Sequence, residues 1–386
     1  MKMAQAVRLL AAIFLGLSLA ACSSTPSSSE PAKLVDFKEE KRLKKVWSRS
    51  IGDGQGKAYH RITPVIDGEE IFIAAHDGVV AAYTTAKGKK VWKRSHDLNI
   101  SGGVGVGGAM VFVGTSDGEV VALDRLTGDI VWKTAVQGEV LSAPASNGSV
   151  VVAQTYSGQV HGFDIVDGKM LWTYNAQVPR LTLRGTSTPV IVRDTVLVGL
   201  ANGRVAALDV DSGSVRWEQR VSVPQGSTEI ERLVDVDGRL LLTEGDQIVV
   251  ATAYQGKLLA VDIAGGRPLW AKDASSYVGA TEALGNIYVV DDQGTISAVS
   301  DGGRTINWTQ TQLARRELSE PLAQSGSIVV GDYEGYLHLI AQIDGHLEGR
   351  DRIDSSGMRA PMASDAERIY VYSNDGKLAA YRIVQR

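Results

Sequence analysis

Gly103-Val-Gly-Val-Gly-Gly108 has the glycine spacing of a loop that cradles a dinucleotide pyrophosphate, and Gly114-Thr-Ser-Asp-Gly118 has that of a nucleophile elbow. The first chemistry needs a strand before the glycines and a helix after them, because the helix N-terminus supplies the N–H groups that hold phosphate. The second needs a sharp strand-to-helix turn that presents the Ser hydroxyl to a His. Asp209-Val-Asp-Ser-Gly213 opens like a calcium loop, but its twelfth position is Arg220, where a bidentate Glu is required. Asp235-Val-Asp237 is equally short of ligands. The six His are dispersed, with no zinc-type spacing, and the sole cysteine, Cys22, has no second thiol to pair with. Each candidate therefore depends on the elements around it.

Those elements are strands. All seven tryptophans, Trp47, Trp92, Trp132, Trp172, Trp217, Trp270 and Trp308, recur 38 to 53 residues apart. A turn glycine recurs in phase at Gly78, Gly118, Gly158, Gly203, Gly256, Gly294, Gly335 and Gly376. Asp-Gly, Asn-Gly and Thr-Gly pairs separate short runs of Val, Ile, Leu and Tyr, the pattern of tight hairpins. No long segment after the leader has helical periodicity. In the second copy, strand A ends near Val106, B is Met110–Gly114, C is Glu119–Leu123 and D is Asp129–Lys133. The chain is predicted to be all-β, an eight-bladed β-propeller of four-stranded antiparallel blades. Gly349 or a neighbour takes the eighth Trp slot. The last copy lacks a Trp strand and the first Trp strand, Val46–Arg49, lacks the three before it. Pairing the two closes the ring and hides two edges. The Trp rings are expected to fill the gaps between blades.

This register dissolves both catalytic motifs. Gly108 falls in an A–B turn, and Gly118 is the second B–C hairpin glycine. The slot of Ser116 is taken elsewhere by His76, Tyr156, Ala201, Tyr254, Asp292, Tyr333 and Asn374, so nothing chemical is repeated there. No catalytic residue, metal site or cofactor is predicted.

The register also measures loops. Most copies need about 15–18 residues from Trp to the next A–B turn, whereas Trp172 to Asp194 takes 22 and Trp217 to Gly245 takes 28. These long D–A connections are consecutive and share one face, the best place for a binding site on a rigid scaffold. Leu181 and Leu183 are candidate apolar anchors, Arg184 a fork for carboxylates, and Asp235 and Asp237 a negative rim. Alternatively, the leucines cap the blade beneath them and the charges are solvated.

The first residues read as an export leader. Lys2 and Arg8 precede an apolar run, Leu9 to Leu19, that is short for a membrane span. Residues 1–21 form the predicted signal peptide, 22–45 a tether that is Ser/Pro-rich to Lys33 and has a solvated charged run at Lys38–Lys45, and 46–386 the propeller. A net charge of −4 opposes non-specific nucleic-acid binding.

Two resemblances follow from these residues. Ala122-Leu-Asp-Arg-Leu-Thr-Gly-Asp-Ile-Val-Trp132 resembles the tryptophan-docking motif of quinoprotein dehydrogenases, eight-bladed propellers that use pyrroloquinoline quinone and calcium. It implies architecture; function does not follow from it. Leu19-Ala-Ala-Cys22 resembles the lipobox of bacterial lipoproteins, which implies acylation of Cys22, and Ser23 implies sorting to the outer membrane. Together with Leu181–Pro189 and Gly226–Asp237, the chain resembles the propeller lipoproteins of the outer-membrane β-barrel assembly machinery. That implies a non-enzymatic scaffold in the periplasm, held by lipid to the outer membrane. It also implies docking on the POTRA domains of the barrel subunit BamA through Leu181, Leu183, Arg184, Asp235 and Asp237, with nascent outer-membrane proteins as further partners. After Asp237 the sequence departs from the family pattern, with Gly238-Arg-Leu where the family has a Thr/Pro-led strand start. A quinone-dependent or small-ligand propeller is the alternative.

Overall fold

The computed structural model describes residues 30–386; the leader, Cys22 and the first part of the tether lie outside the described residues. Thirty-two strands and no helix are present among them. The strands form eight four-stranded antiparallel sheets in a ring. Blades 1 to 7 span 65–95, 105–135, 145–175, 190–220, 241–273, 280–310 and 322–352. Blade 8 combines 363–385 with the N-terminal strand Lys41–Ser50, which pairs with Lys377–Gln385. The second blade follows the sequence reading closely, with strands Gly105–Gly107, Met110–Gly114, Glu119–Asp124 and Ile130–Ala135. Gly108 and Gly118 sit in strand-to-strand turns at φ of 56° and 77°, so neither glycine motif meets a helix.

Inter-blade packing explains the tryptophans. Each sits opposite a small residue of strand C, as Trp92 does opposite Ala82 and Trp172 opposite Gly162. Each indole then lies on the C–D turn glycine of the next blade. A Cβ on Gly128 would be 2.4 Å from Trp92, and one on Gly345 would be 2.5 Å from Trp308. In six of the seven the indole N–H finishes the joint by donating to a carbonyl of that turn, at 2.8 Å for Trp47 to Thr85 and 3.0 Å for Trp308 to Gln342. Apolar area and a directional bond thus act at the same contact.

Blade 7 breaks the rule for a structural reason. Its D-strand slot is Gly349, and the residue opposite is Leu339 instead of Ala or Gly. The next blade has no C–D turn to receive an indole, because its C and D strands come from opposite ends of the chain. The carbonyl of Lys41 lies 2.3 Å from where a Gly349 Cβ would be.

The N-terminal strand begins earlier than predicted. Lys41 to Lys45 form strand backbone against Tyr381 to Gln385, so only the residues before Lys41 are approach segment. The extension follows from the nine-residue length of the partner strand and from Lys41, whose ammonium pairs with Glu348 at 2.9 Å. Ahead of it, residues 32–40 run along blades 6 and 7. Ala32 N–H donates to Ala314, Leu34 and Phe37 pack against the blade 6–7 core, and the Arg350 guanidinium lies over Phe37.

Candidate docking face and central cavity

D–A connections and B–C turns share one face, as the hydrogen bonds Tyr156 N to Glu139 O and Tyr254 N to Asp235 O require. The two long connections, between blades 3 and 4 and between blades 4 and 5, are therefore neighbours. Leu181 is 42% exposed, and Leu183 is half-buried. Arg184 is exposed but already has a carboxylate, Glu139 of the preceding connection, at 2.8 Å. Three further aliphatic side chains stand out on the same connections: Val178, Val223 and Ile230. Sequence reading missed them because they lie outside the motif segments or have no repeat equivalent. Ile230 belongs to a self-contained turn in which the Glu231 carboxylate accepts N–H bonds from Ser227 and Thr228.

Asp235 and Asp237 do not form a negative rim. They are 1% and 7% exposed. Glycines let the backbone close over them: a Cβ on Gly185 would lie 2.7 Å from Asp237, and one on Gly199 would lie 2.4 Å from the Val236 carbonyl. Asp235 instead accepts the Leu183 N–H at 3.1 Å and so anchors the exposed loop from below. Burial, with Asp237 adding like charge, pushes Asp235 up to about 7. Burial also pushes Asp237 up to about 6, against the opposing pull of Arg61.

Inside the ring, a cavity of about 170 Å³ opens where the innermost strands begin. Its polar lining includes Arg61, Arg184, Asp237, Arg239 and Glu320, and its apolar lining includes Val65, Val104 and Leu141. Arg239 pairs with Glu320. Arg61 and Arg359 flank the Tyr59 ring at 5.5 and 5.1 Å, and Arg61 also lies 5.5 Å from Tyr277. Sequence reading found no converging set here, because its members come from the approaches to four different blades. The available signal was position: each precedes an innermost strand.

Other ionisable clusters are structural. His338 and Asp332 are fully buried and 2.9 Å apart, with Arg316 bound to the same carboxylate. The His60 and His76 rings lie 4.9 Å apart, tilted by 34°. Glu40, His346 and Glu348 come together as metal ligands could, but Glu348 is engaged by Lys41 and Ser327.

A family model described as outer membrane protein assembly factor BamB matches residues 76–310. The chain is 54% identical over 374 residues to the outer membrane protein assembly factor BamB of Pseudomonas aeruginosa, covering 97% of this chain and 98% of that one. The crystal structure of BamB from Moraxella catarrhalis matches with a TM-score of 0.80 at 27% identity, over 88% of this chain and 100% of that one. A quinohemoprotein alcohol dehydrogenase from Comamonas testosteroni matches with a TM-score of 0.71 at 13% identity, over 88% of this chain and 76% of that one, a likeness of fold alone. With the ring, the docked tryptophans and near full-length identity pointing the same way, the chain belongs to the BamB family of outer membrane protein assembly factors.

Proposed function

We propose that this protein is a non-enzymatic scaffold that docks on the periplasmic POTRA domains of BamA and assists assembly of outer-membrane proteins. Lipid on Cys22 holds it to the outer membrane with the propeller in the periplasm. The observation that carries the docking surface is the loop 181–185. It presents Leu181 and Arg184 to solvent while Asp235 fixes its backbone from within. A preformed loop of this kind binds without the ordering cost that a floppy insertion incurs. Leu181, Val178 and Ile230 supply apolar area, and Arg184 can exchange Glu139 for a partner carboxylate. Asp235 acts as a positioning residue for this surface, and neither it nor the buried Asp237 meets the partner. Pull-down of BamA tests the reading. Leu183→Ala and Arg184→Ala should each weaken capture by about five- to thirtyfold, as loss of 1–2 kcal/mol implies. If both capture BamA like the wild type, the docking face lies elsewhere.

A further inference from the structure

Two opposite charges face the central cavity without meeting. Arg184 and Arg239 each have a carboxylate partner, Glu139 and Glu320. Arg61 has none among the described residues; its Nη1 donates only to the Tyr277 carbonyl, at 2.9 Å. Asp237, 7% exposed, lines the same cavity and accepts no hydrogen bond among the described residues. Its carboxylate oxygens reach the cavity space, where a ligand's donor can meet them. Two buried hydroxyls at the cavity wall, Ser142 Oγ and Thr186 Oγ1, are also without partners. Val104 and Leu141 supply apolar wall.

This arrangement limits the ligand. A simple carboxylate would satisfy Arg61 and face Asp237 as a like charge. A simple amine would do the reverse. A molecule carrying both charges close together satisfies each and adds no net charge. No ion pair joins Arg61 and Asp237 among the described residues, yet both line the one small cavity. A ligand whose ammonium and carboxylate sit on one carbon presents both charges within it. Size points the same way. A cavity of roughly 150 Å³ holds one benzene, and drug-sized ligands occupy roughly 300–1,000 Å³, so the about 170 Å³ here suits one amino-acid-sized molecule.

We propose that the central cavity binds a free α-amino acid as its zwitterion, with the carboxylate on Arg61, the ammonium on Asp237, and an apolar side chain against Val104 and Leu141. The site is independent of docking on BamA. Calorimetry on the full chain in detergent, with L-leucine, L-valine and L-phenylalanine at millimolar concentration, tests it. At least one should bind. Its N-acetyl and amide derivatives, each lacking one charge, should bind at least about tenfold more weakly, since each charged hydrogen bond contributes roughly 1.5–3 kcal/mol. Arg61→Gln should abolish the preference for the free acid over its amide, and Asp237→Asn the preference for the free amine over its N-acetyl form. Should Asp237→Asn fail to fold, the Arg61→Gln comparison stands alone. No binding by any of the three amino acids, or equal binding of the neutralised derivatives to the wild type, overturns the proposal.

Discussion

The backbone N–H of Leu183 donates to Asp235 Oδ1 at 3.1 Å, so an exposed loop is held in place by an acid that is itself out of solvent. The bond ties loop shape to a titrating group. Burial and the neighbouring Asp237 push Asp235 up to about 7, whereas an unfolded Asp titrates near about 3.9. Between these values the unfolded chain releases a proton that the folded chain keeps. Stability is therefore full below about pH 4, falls as pH rises through about 7, and levels above. Asp235→Asn still accepts the Leu183 N–H and cannot titrate. Relative to the wild type it should gain about 1–3 kcal/mol in stability between about pH 5 and pH 8. Thermal unfolding at both values measures this, and a constant difference would mean that Asp235 ionises without penalty.

The tryptophan joints should be intolerant of a single methyl. Gly128 and Gly148 both have left-handed backbone, at φ of 76° and 91°. A Cβ at Gly148 meets nothing within 4 Å, whereas one at Gly128 would lie 2.4 Å from Trp92. Gly148→Ala should cost only the backbone penalty of about 1–2 kcal/mol. Gly128→Ala should cost about 1–3 kcal/mol more, as overpacking does. Denaturant titration of the pair separates ring collision from backbone strain.

Restoring the missing repeat tryptophan should harm the protein. Gly349→Trp completes the sequence pattern, but Lys41 occupies the space and Leu339 fills the facing position. We expect a loss of at least about 3 kcal/mol in denaturant titration, against the gain that a repeat-consensus argument would forecast.

Much of the fold is legible in the sequence because its strongest signals are repeated. Seven Trp report one inter-blade joint and eight hairpin glycines one B–C turn, each many times over, and the extra length after Trp172 and Trp217 places two loops on one face. Individual burial is less legible. Asp235 and Asp237 read as surface acids because nothing local conceals them. Their burial comes from Gly185 and Gly199, which let other segments close in. The meeting of Arg61 and Asp237 at one cavity is a product of ring geometry that no local pattern encodes. Lys41 to Lys45 reads as a solvated charge run, and only its partner at the other end of the chain makes it a strand.

Pairing of Lys41–Ser50 with Lys377–Gln385 also sets an order of events. Seven blades are each made from contiguous chain and can form as hairpins on local contacts. The eighth joins residues from opposite ends and carries the largest loop-closure entropy, so it is expected to form last. Until then the strand that bears Trp47 is an open edge, able to pair with any other unpaired strand nearby. Closure thus makes the eighth blade, and with it the ring, depend on the chain's last residues.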